Sequence, residues 1–504
     1  MRVVPVIAII CLVTGICPAR QSRAQTVDAL LNNLHQEDDF NGYVLIAEKG
    51  KTIYAKSFGF ANVENKTPIT ENTIFLIGSV SKTFTATAIL KLKEQGKLSL
   101  NDNIENYFPE LPYKNMTIRH LLTHTSGLLE YQSDEVIKEI RDKGVTNAEL
   151  VKVLARLKPK EAFQPGSKWE YSNMNYILLA LIVEKVSGET FPQFVKQNIF
   201  LPAHMDHTFV LISNLPDSLK SDLASGYRFT SLLSTSAVNV ESMPGARRAY
   251  ATKKNLYGPG NVYSTAKDLL KYHEALQAGK ILRRQTLLEM YTPIRLSSGE
   301  DYSTFSRTNY LSKNALGWFV ANDNSAGTVV YHPGGDIGFV SYFMRNITRD
   351  QTVIILANNE VIRHSTATSL MRILNHQPYK LDTKSLARAL GKQYSSHGID
   401  ATLRLFDRLK DNKGYSYSEE EINDLGYQLM IEKSDIKAAI ELFKINAERF
   451  PRSFNVWDSL GEAYYKKGDK ETALQYYEKS LSLNPENEEG KNMLKKIKGE
   501  LGRP

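Results

Sequence analysis

The sequence predicts an α+β unit, an antiparallel sheet flanked by helices, followed by an all-α unit of helical repeats. Three observations carry this. Short strand-like segments occur early in the chain and again near residues 328–357, a long helical stretch lies between them, and beyond residue 383 a helical pattern recurs at about 34 residues.

At 504 residues the chain is too long for one compact core, and length sets an expectation of about two to four domains. Its 42% hydrophobic and 23% charged residues exclude a disordered, collagenous or polytopic membrane class. Residues 1–24 read as an export signal. Arg2 precedes an apolar run from Val3 to Cys17 that Pro5 interrupts, and the run is shorter than the roughly 20 residues needed to span a bilayer. Ser22 and Ala24 mark cleavage before Gln25, with Cys17 and Ala19 as an earlier alternative. An uncleaved anchor, the one route to a membrane, is the competing reading; lipid attachment is disfavoured by Ile10 and Ile16 before Cys11 and Cys17. The expected protein is exported, periplasmic or secreted, and without its only two cysteines it has no thiol, disulfide or cysteine-bound metal. Cleavage also removes Arg2, Arg20 and Arg23 from a formal charge of +8. The remaining lysines are scattered among acidic residues, so nucleic acid is not an expected partner.

The first folded unit is placed at 25–378. Tyr43, Leu45 and Ala47 alternate with Val44 and Ile46, Lys49-Gly50-Lys51 turns the chain, and Ile53 to Phe58 returns as a second strand. A helix is expected from Ser79 to about Gln95, with Phe84, Ala88, Ile89 and Leu92 on one face and Gly96 closing it. Turns at Thr125-Ser126-Gly127 and Pro165-Gly166 precede a helix from Tyr176 to Val186 that ends at Ser187-Gly188. Thr328 to Tyr331, Phe339 to Met344 and Thr352 to Ala357 are expected to join the first hairpin in one sheet, and Pro378 ends the unit. Residues 383–504 form the second. Trp457, Leu460, Gly461, Tyr464, Gly468, Ala473, Tyr477, Leu481 and Pro485 resemble the tetratricopeptide template; Asp435, Ala439, Phe443 and Pro451 repeat part of it one period earlier. A degenerate unit is read at 384–412 and a solvated capping helix at 486–501. Such repeats bind a peptide or another protein, or else form a helical annex on the first unit.

Three segments carry chemistry. Gly78-Ser79-Val80-Ser81-Lys82 gives Ser-x-x-Lys, a hydroxyl and an ammonium on one helical face. The same spacing at Ser264 to Lys267 and Ser434 to Lys437 shows how readily chance produces it, but only Ser79 follows a strand region and opens an apolar helix. A serine needs a base. Tyr171-Ser172-Asn173, read as extended, points a phenol and a carboxamide the same way, and an adjacent Lys82 is expected to lower the phenol's pKa so that Tyr171 takes the proton from Ser79. His332-Pro333-Gly334-Gly335 lies at a strand end. Its glycines admit a substrate backbone, the amides of Gly335 and Ser79 form a candidate oxyanion hole, and His332 is expected to donate a hydrogen bond and carry part of a charge. Each also has a plain structural reading, a hydrogen-bonded buried tyrosine or a simple turn.

Together with Ile77 to Phe84, His120 to Gly127 and Gly258-Pro259-Gly260-Asn261, these segments make residues of roughly 40 to 360 resemble the superfamily of class C β-lactamases, D-alanyl-D-alanine carboxypeptidases and carboxylesterases. The resemblance implies an acyl-enzyme on Ser79, Lys82 and Tyr171 as acid/base pair, Asn173, His332 and Gly334 at the substrate, and the amides of Ser79 and Gly335 as oxyanion hole. Many members that cleave β-lactams have Lys-Thr-Gly where this chain has His332-Pro333-Gly334, so a substrate carboxylate should be held weakly. The expected substrate is therefore a small ester, amide or D-amino peptide. Two rival readings are a β-lactamase or carboxypeptidase that tolerates His332, and a silent receptor for peptidoglycan fragments. His120 and His124 are read as structural, and no metal or cofactor is expected.

Overall fold

The computed structural model describes residues 22–38, 40–211, 217–300, 303–305, 311–323, 326–381 and 383–503. The expected export signal therefore lies outside the described residues up to residue 21.

Strands β1 (Gly42–Glu48) and β2 (Lys51–Phe58) form the expected hairpin. Lys49 at φ 51° and Gly50 at φ 71° make its turn, the left-handed pair that matches the twist of the strands. The other strands come from the far end of the unit: β3 (Ser303–Phe305), β4 (Leu311–Asn314), β5 (Phe319–Asp323), β6 (Gly327–Asp336), β7 (Phe339–Asn346) and β8 (Gln351–Ala357). Among the described residues these eight strands form one antiparallel sheet in the order β3-β4-β5-β6-β7-β8-β1-β2. β1 closes on β8 in the register Gly42↔Ala357 to Glu48↔Gln351, which joins the two ends of the unit. The alternation along β1 sends Tyr43, Leu45 and Ala47 into one core and Val44 and Ile46 into another, so the strand is apolar on both faces.

Helices cover both faces. The longer helices of the unit include α1 (Arg23–Asp38), α2 (Ser81–Glu94), α3 (Asn173–Ser187), α4 (Pro244–Lys253), α5 (Ala266–Gln277) and α6 (His364–Leu374). α1 and α6 pack Leu31, Leu370 and Met371 on Val44, Val353 and Ile355, while α2, α3 and α5 build the larger core on the other face.

Four features differ from the sequence reading. α1 was not anticipated; its first turn holds Arg23 and Ala24, with Arg23 paired to Glu48 at 3.0 Å and donating to the Leu374 carbonyl at 2.9 Å. Strands β3 to β5 were missed because none has a long alternating run. α2 begins at Ser81, since Gly78–Val80 forms a 3-10 turn. α3 begins at Asn173, three residues before Tyr176, and ends on Gly188 at φ 77°, as expected.

Beyond the sheet, apart from a short parallel pairing of Lys384–Ser385 with Tyr415–Ser416, the chain is mainly helical: α7 (Leu386–Leu409), kinked at Gly398, then α8 (Glu419–Ile431), α9 (Ile436–Arg449), α10 (Phe454–Lys467), α11 (Lys470–Leu483) and α12 (Glu488–Glu500). The repeat is visible in its caps and crossings. Asp435 caps α9 and Asp469 caps α11, while Gly426 and Gly461 let Phe443 and Tyr477 approach so closely that a Cβ would lie 2.4 and 2.9 Å from their rings. No helix among the described residues is long and apolar enough to cross a membrane.

Candidate active site

Ser79 stands where the edge of β6 meets the start of α2. Gly78 has φ +50°, and a Cβ there would lie 2.8 Å from both N and O of Gly335. Only glycine satisfies both the conformation and that approach. Ser81 is the structural serine of the motif, with Oγ donating to Gly78 O at 2.6 Å. Thr85 Oγ1 donates to Gly258 O at 2.7 Å, which ties the Gly258-Pro259-Gly260 loop to α2.

Lys82 is fully buried, and its Nζ lies 3.1 Å from Ser79 Oγ, 2.7 Å from Asn173 Oδ1 and 3.0 Å from Pro259 O. Burial pushes its pKa down to about 7, against a raising influence from Glu130. Two of the three neighbours can only accept. A neutral amine therefore spends its two N–H groups on Asn173 Oδ1 and Pro259 O, and its lone pair faces the Ser79 hydroxyl.

Tyr171 OH donates to Ser79 Oγ at 3.0 Å. Burial and Glu130 hold its pKa well above the usual phenol value, so the expectation that Lys82 would pull it down is reversed. The main cause is the burial of the phenol itself, which disfavours the phenolate. Nor do Tyr171 and Asn173 share an extended segment, because Asn173 opens α3; the two side chains still converge on Ser79 and Lys82.

Two groups behind this cluster organise it. His124, at φ 57°, stacks on Tyr171 with ring centroids 4.4 Å apart, and its Nδ1 accepts from Ser172 N at 3.2 Å. The ring is neutral, with its proton on Nε2, and burial keeps it so. His120 Nδ1 accepts from Thr117 N at 3.2 Å in a capping box, so the two histidines serve different local structures. Glu130 was missed by the sequence reading. Its Oε2 accepts from Asn173 N at 2.6 Å and Asn173 Nδ2 at 3.2 Å, which turns Asn173 Oδ1 toward Lys82. No spacing rule links Glu130 to Asn173; the only available signal was an acidic residue in an otherwise apolar stretch after Gly127.

The His332 segment differs from expectation. β6 continues through it to Asp336, paired with β7 in the register His332↔Phe343 to Asp336↔Phe339, so it is neither a strand end nor a turn. His332 is 3% exposed, and its Nδ1 donates to Pro333 O at 2.6 Å. Burial and nearby Lys82 lower its pKa to about 3, so it carries no charge near neutrality. Gly334 faces the protein: a Cβ would lie 2.1 Å from Ile77 O and 2.2 Å from Ser341 Oγ. Its glycine serves the approach of β6 to the nucleophile turn. Gly335 is open on its Cβ side and lines a cavity of about 810 Å³ together with Ser79, Asn173, Tyr131, Arg228 and Asp336. The other two Ser-x-x-Lys spacings lead elsewhere, with Ser264 buried on Thr208 and Lys267 paired to Glu71, and Ser434 in a left-handed turn.

A helix-covered antiparallel sheet with a serine, a lysine and a tyrosine converging at its edge is the arrangement of a serine-hydrolase fold. The chain belongs to the Beta-lactamase family, which matches residues 27–377, and residues 454–487 match the Tetratricopeptide repeat. It is 33% identical to Penicillin-binding protein 4* of Bacillus subtilis over 365 residues, covering 71% of this chain and 78% of that one. Among solved structures it resembles a penicillin-binding protein from Bacillus halodurans, at TM-score 0.56 and 25% identity over 68% of this chain and 98% of that one. The D-amino acid amidase of Ochrobactrum anthropi shares the fold, at TM-score 0.57 and 22% identity over 77% of this chain and 99% of that one.

Proposed function

We propose that the protein is an exported serine hydrolase that cleaves an ester or amide through a covalent intermediate on Ser79. The observation that carries this reading is the depressed Lys82 amine, 3.1 Å from Ser79 Oγ with its other contacts already taken by carbonyl oxygens. In the forward step Lys82 Nζ takes the Ser79 proton as Oγ bonds to the substrate carbonyl carbon. The amides of Ser79 and Gly335 are assigned to the developing oxyanion. Collapse breaks the bond to the leaving group, which takes its proton from Tyr171, and the Lys82 ammonium restores the phenol. Water then repeats the sequence on the acyl-serine and releases the acid. Tyr171 is thus a proton donor in this scheme and Lys82 the base.

The substrate side favours acyl groups without a carboxylate beside the scissile bond. A neutral, buried His332 and a Pro333 with neither hydroxyl nor N–H offer such a carboxylate little. Esters and D-amino amides fit this better than β-lactams, although the relatives named as penicillin-binding proteins make β-lactam acylation the second reading. The test is a chromogenic ester and a fluorophosphonate probe, with nitrocefin and a D-alanyl-D-alanine peptide alongside. Ester turnover and labelling, both lost in Ser79→Ala, support the proposal. Nitrocefin turnover in preference to the ester would favour the β-lactamase reading, and binding without product the receptor reading.

A further inference from the structure

The segment between Tyr227 and Asn239 runs from the wall of the catalytic cavity to the C-terminal helices. Its ends, Tyr227–Arg228 and Val238–Asn239, pair as a short antiparallel ladder. Its tip crosses to the C-terminal helices and is held there as a peptide is held. Leu232 N donates to Gln428 Oε1 at 2.9 Å, Leu232 O accepts from Arg388 Nη1 at 2.8 Å, and Leu233 O accepts from Ser395 Oγ at 2.6 Å. Leu233 is buried in the apolar core of α7 and α8. Gly391 of α7 accommodates the tip, because a Cβ there would lie 2.3 Å from Leu232 O.

The root of the same hairpin abuts the catalytic cavity. Arg228 pairs with Glu360 through Nε at 3.0 Å and Nη2 at 2.9 Å, and both residues line the cavity that contains Ser79. Glu360 Oε1 in turn accepts from Gly338 N at 2.8 Å, in the β6–β7 turn just beyond Gly335. That turn presses on the root, for a Cβ on Gly338 would lie 2.8 Å from Tyr227 N. Backbone contacts this close transmit displacement, since packed interiors do not absorb it.

We propose that this hairpin is a strut through which the C-terminal helices position the Arg228–Glu360 wall of the cavity, so that they govern how substrate is bound and not how Ser79 is acylated. The consequence for substrate rests on the hydrolase reading; the mechanical link does not. Two variants of the full chain loosen the tip and change no residue that lines the cavity: Leu233→Asp, and the double variant Arg388→Ala with Gln428→Ala, which keeps the apolar core should the first fail to fold. Hydrogen exchange should then quicken at the tip and also at Ile337–Phe339. Quickening at the tip with the turn unchanged overturns the link, whether or not the protein is a hydrolase. In kinetics, KM for p-nitrophenyl octanoate should rise about five-fold or more while kcat for p-nitrophenyl acetate stays within about two-fold. Equal loss on both esters would overturn the assignment to substrate binding. Failure of wild type to react with either ester counts against the hydrolase reading and leaves the exchange result to decide the strut.

Discussion

At the scale of single residues, the account turns on which member of the cluster can lose its proton. Lys82 binds a proton less well than an exposed lysine because it is buried, and its pKa falls to about 7. The active form is the neutral amine, so acylation should be slow below about pH 7 and rise with pH to a plateau. Lys82→Arg keeps a cation that does not deprotonate, and acylation should drop by about 10²-fold or more with no recovery at alkaline pH, as read by stopped-flow labelling. Glu130 gives a finer check. Its charge favours the ammonium, so Glu130→Gln should move the acid limb to lower pH, which a pH–rate profile measures directly. A midpoint that stays put or moves upward would remove Glu130 from the electrostatics of the site. His332, already neutral across this range with its pKa near 3, should contribute no limb above about pH 5.

At the scale of elements, the site exists because two backbones touch. Gly78→Ala puts a side chain at φ +50° and 2.8 Å from Gly335, and should cost about 1–3 kcal/mol in thermal or denaturant unfolding. Gly334→Ala meets Ile77 O at 2.1 Å; it should destabilise at least as much and displace the nucleophile turn, so that Ser79 labelling falls together with stability. Unchanged unfolding in both variants would show that the contact is slack. These glycines also show what could be read from sequence. The motif spacing picked out Ser79, Lys82, Tyr171 and Asn173, which the structure brings together, because a short loop or one helical turn relates the members of each pair. It did not find Glu130, which meets Asn173 across 43 residues, nor the close approach of Gly334 to the Ile77 carbonyl. It also gave His332 a charge, since burial, the quantity that decides it, is a property of the packed molecule.

At the scale of the whole molecule, the sheet is assembled from both ends of its unit, and this was legible because β1, β2 and the strands β6 to β8 each carry a strong local pattern. Strands β3 to β5 and α1 are weakly patterned and depend on neighbours already in place, so local periodicity passed over them. The repeats were legible through their period, whereas the seat of Leu232 and Leu233 on α7 and α8 was not, because two leucines in a serine-rich loop have no periodicity. That seat makes the C-terminal helices an apolar partner of the first unit. Deletion of residues 383–504 should expose Leu233, lower the melting temperature of the remainder and promote aggregation, as measured by calorimetry and light scattering. A monomeric remainder with unchanged melting would mean that the two units are thermodynamically independent.

The most direct measurement is the rate at which a fluorophosphonate phosphonylates the protein, or a chromogenic ester acylates it, as pH is varied, with the phosphonyl adduct located by mass spectrometry of the intact and digested chain. The account predicts one adduct, on Ser79, formed at a rate that climbs to a plateau with a midpoint near pH 7 and is lost in Lys82→Arg. A rate independent of pH from about 5 to 9, or an adduct on any other residue, would contradict it.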